Sequence, residues 1–192
     1  MIDFLATLDR RWVFLMMGIA VAVPVLTRAT FPEAPTPMTR RLFETVESLP
    51  PGSVVYLAYD YDPGSAPELG PMATAFVRHC CLKRHKMIFA TLWPTGTPLL
   101  DQSIRDVIKG EFAAENFQDG VDYVNLGYRP GNEVAIKGVA TDIRKTYTTD
   151  INGTGLNDIP LMKPINNVLD CGLILNLSAG TPGAKEWVQY AG

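Results

Sequence analysis

An α/β domain carried behind an N-terminal transmembrane helix is the fold class this sequence predicts, and three observations predict it. The uncharged run WVFLMMGIAVAVPVLT, residues 12–27, is bracketed by Arg10 and Arg11 in front and Arg28 behind. Four short apolar segments, SVVYLAYD, KMIFATLW, DYVNLGY and CGLILNLSAG, alternate with stretches of helical periodicity. Each apolar segment then runs into a turn that holds proline and glycine together. Near-continuous apolar strands separated by helices point to a mainly parallel sheet of four or more strands, covered on both faces in a Rossmann-like layout.

The front segment comes first in the chain. At 1.5 Å per residue, residues 12–27 reach about 24 Å, short of the roughly 30 Å hydrocarbon core, so flanking arginines must snorkel and helix must continue outward. Pro24 kinks the last turn without forbidding a span. A secretory signal has the same form, but Thr27, Arg28 and Ala29 make a poor small-residue cleavage site, which favours an uncleaved membrane anchor over residues 1–28. Arg10 and Arg11 nearly balance Arg28, Arg40 and Arg41, so the positive-inside rule leaves orientation open, and three unpaired cysteines lean toward the cytoplasmic side. Pro32, Pro35 and Pro37 then mark residues 29–39 as an extended tether.

The domain is expected over residues 40–192. Leu42, Val46 and Leu49 recur at helical spacing before Pro50 and Pro51 stop the helix. Helices are expected through residues 67–85, 98–117, 132–147 (whole or interrupted at Gly138) and from 181 onward. Residues 143–170 are long, polar and rich in glycine and proline, as functional or disordered loops are, with IPLMKPI as a short strand or an apolar plug.

In a parallel sheet the turns after the strands emerge at one edge, where ligands bind when they bind at all. Here those turns read DYDPGS, WPTGTP, GYRPGN and SAGTPG. They supply the candidate ligand-binding residues Asp60, Asp62, Thr95, Arg129, Ser178 and Thr181. Asp60 and Asp62 after a first strand resemble the acidic pair of haloacid-dehalogenase-like phosphatases and the Asp-x-Asp of many glycosyltransferases, where alternate carboxylates face one hard cation. The pattern departs from the phosphatases at Gly64, and no later acidic motif follows SAGTPG. The competing reading has Asp62, Pro63 and Gly64 as a turn and Asp60 as a helix cap, which makes Asp60→Asn nearly silent. Arg129 offers an anion clamp; Thr181 and Pro182 serve either a phosphate cradle or a helix start.

Composition removes other classes. A net charge of −3 argues against nucleic-acid binding, and three cysteines with two histidines give neither a disulfide framework nor a zinc pattern, so no cofactor or metal is expected. The segments GVDYVNLGYRPG, VATDI and LSAGTPGAKEWVQYA resemble a group of bacterial membrane-anchored proteins with one Rossmann-like α/β domain and no activity attached to them. That resemblance implies the layout, a place in a bacterial inner membrane and a further C-terminal membrane segment. The resulting expectation is a bilayer-anchored interaction or assembly subunit, partnered by other membrane-complex subunits or by itself. The alternative is a small-ligand or phosphate-binding domain, with metal-dependent phosphoryl transfer at Asp60 and Asp62.

Overall fold

The computed structural model describes residues 9–27 and 34–192, and the chain divides into two units, Met1–Arg40 and Arg41–Gly192. Both ends of the expected anchor, residues 1–8 and Arg28, and the front of the expected tether, with Pro32, lie outside the described residues. Helix α1 spans Arg10–Thr27 and none of it is buried. Asp9 starts it, its carboxylate accepting from the Arg11 N–H at 2.9 Å and its carbonyl from the Trp12 N–H at 3.0 Å. The helix is long and apolar enough to cross a membrane, a property it shares with signal sequences.

Helix α2, Pro37–Ser48, begins before the expected Arg40. Thr36 accepts the Thr39 N–H on its hydroxyl, and Pro37 takes the first helical position, where its missing N–H costs nothing. Pro37 therefore belongs to a helix and not to an extended spacer. Val46 is fully buried, with Leu42 and Leu49 packed beside it.

The strands β1 (Val54–Asp60), β2 (Lys86–Thr91), β3 (Tyr123–Tyr128) and β4 (Leu173–Ser178) form one sheet in the order β3-β2-β1-β4. All pairings are parallel. Tyr56 lies opposite Ile88 and Ile174, and Asp60 lies opposite Ser178. The apolar residues expected in these strands are there, except that Leu92 falls just past β2. Period-two alternation sends Val55, Leu57, Tyr59, Met87 and Phe89 to the face covered by α2, α3 (Ala66–Leu82) and α4 (Thr97–Ser103). Tyr56, Ala58, Ile88, Ala90 and Val124 go to the other face, against α5 (Glu133–Thr141), α6 (Ile143–Thr146) and α7 (Ala184–Ala191).

Two helical regions depart from the simple periodicity, and the segment after them departs from the expected loop. After α4 the chain widens into a π-helical stretch, Ile104–Glu111, closed by the Phe112 N–H on the Val107 carbonyl at 2.9 Å. The expected 132–147 helix breaks at Asp142, whose carboxylate accepts the Arg144 and Lys145 N–H groups, and not at Gly138. Gly138 stays within α5, and a Cβ there would crowd the Thr146 hydroxyl. The 148–170 segment is an ordered cover. Leu156, Ile159, Leu161, Met162 and Ile165 are buried, so IPLMKPI is a plug and not a strand. The Arg144 guanidinium donates to the Asn157 side chain at 2.9 Å and to the carbonyls of Met162 and Ile165 at 2.7 and 2.5 Å.

Candidate functional site

Sequence order reverses between β1 and β4, since β2 lies on one side of β1 and β4 on the other. In open parallel sheets a crevice opens at the carboxyl ends of such a pair of strands. Here Asp60 and Ser178 stand opposite each other at that point, as the candidate residues required. The space between them is occupied by the chain itself.

Asp60 is fully buried, and both carboxylate oxygens are engaged. Oδ1 accepts the Leu92 N–H at 2.7 Å; Oδ2 accepts Asn176 Nδ2 at 2.6 Å and Trp187 Nε1 at 2.8 Å. One side chain thus ties the end of β1 to the exit of β2, to β4 and to α7. Burial raises its pKa from 3.8 to about 6, with the three donors opposing the shift. The Trp187 ring packs on Tyr56 at 5.4 Å between centroids.

Trp93 closes the mouth. Its Nε1 donates to the Pro182 carbonyl at 3.1 Å, and its ring edge lies 3.1 Å from where a Cβ on Gly180 would come. A Cβ on Gly183 would overlap the Ser178 hydroxyl and the Gly180 carbonyl; one on Gly96 would overlap the Tyr59 carbonyl and the Thr91 hydroxyl. Glycine at those two positions is a consequence of how tightly the turns close over the strand ends.

The remaining candidates serve local structure or stand apart. Asp62 Oδ1 accepts the Ser65 N–H at 2.9 Å ahead of α3, so the turn role falls to Asp62 and the cap expected of Asp60 does not form. The two carboxylates are committed to different partners. Among the described residues no group of three or more His, Cys, Asp or Glu side chains is placed to hold a metal. Thr95 is exposed in the turn after β2. The Ser178 hydroxyl donates to the Gly180 carbonyl at 3.3 Å and faces the Ala184 N–H at 3.4 Å. Thr181 is exposed and does not cap α7: Gly183 holds that position, its N–H donating to Glu186 Oε2 at 2.8 Å. Arg129 leaves β3 with its N–H on the Thr91 carbonyl at 2.9 Å and its side chain on a separate groove.

Sequence reading missed Trp93, Asn176 and Trp187. Asn176 carried a usable signal, because a single amide inside the buried run LILNLS needs a partner. Nothing local indicated that the partner is Asp60, which is distant in sequence. No family model, curated protein or solved structure matches the chain.

Proposed function

We propose that the protein is a membrane-anchored, Rossmann-like α/β module that works by binding a protein partner, with α1 as the uncleaved anchor. The observation that carries this reading is the outer edge of β4. Among the described residues that strand pairs on one side only, and its sequence LILNLS contains no charge and no proline, the devices that usually keep an edge strand from pairing with another chain. Leu173, Ile174, Asn176 and Ser178 remain half-buried. The opposite edge is covered by the chain: the Gly120 N–H donates to the Tyr123 carbonyl at 2.7 Å, and the Ile151 N–H to the Asn125 carbonyl at 2.9 Å. An uncovered edge accepts an added strand through backbone hydrogen bonds. The filled crevice between β1 and β4 adds support, since a hydrolase or transferase needs room there for substrate.

The test is site-specific photo-crosslinking in membranes, with the probe at exposed Ala179 beside β4 and, as control, at exposed Lys109 on the far end of the π-helical stretch. The reading expects a discrete adduct from position 179 only, and native mass spectrometry of the detergent-extracted chain should show the same complex. A monomer with no adduct at 179 would reject it.

A further inference from the structure

The carboxyl end of β3 differs from the filled switch point. Beside it lies a groove of about 340 Å3, lined by Arg129, Pro130, Val134, Gly138, Lys145 and Thr146 among others. This volume is at the small end of the range for ligand sites. Arg129 is half-buried, and among the described residues its guanidinium makes no hydrogen bond or ion pair. Lys145 has a partner: its ammonium lies 3.3 Å from Asp142, whose carboxylate also accepts the N–H groups that start α6. With Arg129, Lys145 and Asp142 on the lining, one positive charge is left over, and it belongs to Arg129.

The backbone around that arginine is restrained. Its N–H is fixed to Thr91, Pro130 follows it and limits its conformations, and Gly131 turns the chain at a φ of 125°. The guanidinium presents a planar fork of donors suited to two oxygens of a carboxylate or phosphate. The hydroxyls nearby are already used: Thr141 donates to the Lys137 carbonyl at 2.8 Å and Thr146 to the Asp142 carbonyl at 3.3 Å. The wall is apolar, with Pro130, Ala135 and Val134, the last 74% exposed although it lines the groove.

We infer that this groove between β3, α5 and α6 binds a small organic anion, a phosphate monoester or carboxylate on a short apolar body. Arg129 takes the anionic head and Val134, Ala135 and Pro130 take the body. A partly buried cation without a counter-charge gains from such a ligand more than a solvated one does, because the low-dielectric wall strengthens the pair. The site is independent of the β4 edge, so it stands whether or not a protein partner binds there.

The experiment is amide and guanidinium NMR of the full chain in a non-ionic detergent, titrated with phenyl phosphate, benzoate and inorganic phosphate at millimolar concentration. Saturable shifts confined to residues 129–146 are expected, tighter for phenyl phosphate than for inorganic phosphate, and weakened by added salt. Arg129→Ala should weaken binding by about tenfold or more, Arg129→Lys should restore part of it, and Asp62→Asn should leave it unchanged. Unchanged spectra elsewhere in each variant establish that the fold is intact. Failure of all three probes to shift these amides, or affinity within twofold in Arg129→Ala, overturns the site.

Discussion

Two places at the same edge of one sheet have been built in opposite ways. At the ends of β1 and β4 a buried carboxylate has a donor for every bond it makes, and Trp93 and Trp187 fill what would be a crevice. At the end of β3 a half-buried guanidinium has no partner among the described residues, and the space beside it is empty. The first arrangement spends both carboxylate oxygens of Asp60 on holding four elements together, and at this point only the buried Asn176 Oδ1 is left without a partner among the described residues. The second leaves a charge uncompensated, which is stabilising only when something outside the chain compensates it. Position at the carboxyl edge is thus insufficient to identify a site; the state of its hydrogen bonds decides.

The comparison is broken most severely by removing Trp187. Trp187→Ala opens a cavity in the core and takes one donor from Asp60, and should cost about 4 kcal/mol, read as a lowered denaturation midpoint of the full chain by near-ultraviolet circular dichroism. A loss below about 1 kcal/mol would mean that the crevice is not held by this residue.

Asp60→Asn comes next, at about 2 kcal/mol at neutral pH, because the new amide group points a donor at a donor where the carboxylate accepted on both oxygens. This replaces the expectation of a nearly silent change, which rested on a capping role that Asp60 does not have. The pH dependence has a definite sign. With the folded pKa raised from 3.8 to about 6, folding takes up a proton in this range. The Asp60 contribution is fully present below about pH 4 and declines as pH rises through about 6. Wild type should therefore exceed Asp60→Asn by more at pH 4 than at pH 7, the gap changing by up to about 3 kcal/mol. A gap that grows with pH would contradict the burial of this carboxylate.

The smallest effect sharpens the contrast from the other side. Arg129→Ala removes a guanidinium that makes no hydrogen bond or ion pair within the described structure, so its stability should stay within about 0.5 kcal/mol of wild type in the same titration. A larger loss would show that Arg129 belongs to the framework, as Asp60 does.

Much of this framework could be read from particular residues. The runs VVYLAYD, KMIFAT, YVNLGY and LILNLS became parallel strands because short apolar runs separated by helices have few other ways to be buried, and Leu42, Val46 and Leu49 marked the inner face of α2 by spacing alone. The break at Asp142 was less accessible. Glycine is the usual helix breaker, yet Gly138 stays within α5, close to Thr146, while Asp142 stops one helix and caps the next. The 148–170 segment looked like a loop because its glycines and prolines are local signals. Its order comes from Arg144 and from apolar residues that reach the core individually, without a period.

By itself, then, the sequence determined the layers, the strands and the apolar N-terminal helix, because each follows from the spacing of apolar residues within a short window. Tertiary structure alone decided what the candidate residues do. Asp60 was visible as an acid at a strand end, but whether it faces water, a cation or three donors depends on Asn176 and Trp187, which only folding brings to it. Arg129 was equally visible, and its lack of a hydrogen-bond or ion-pair partner among the described residues is a property of the space around it. Spacing along the chain records which surfaces must be buried; the pairing of polar groups is settled by contacts between residues far apart in that chain.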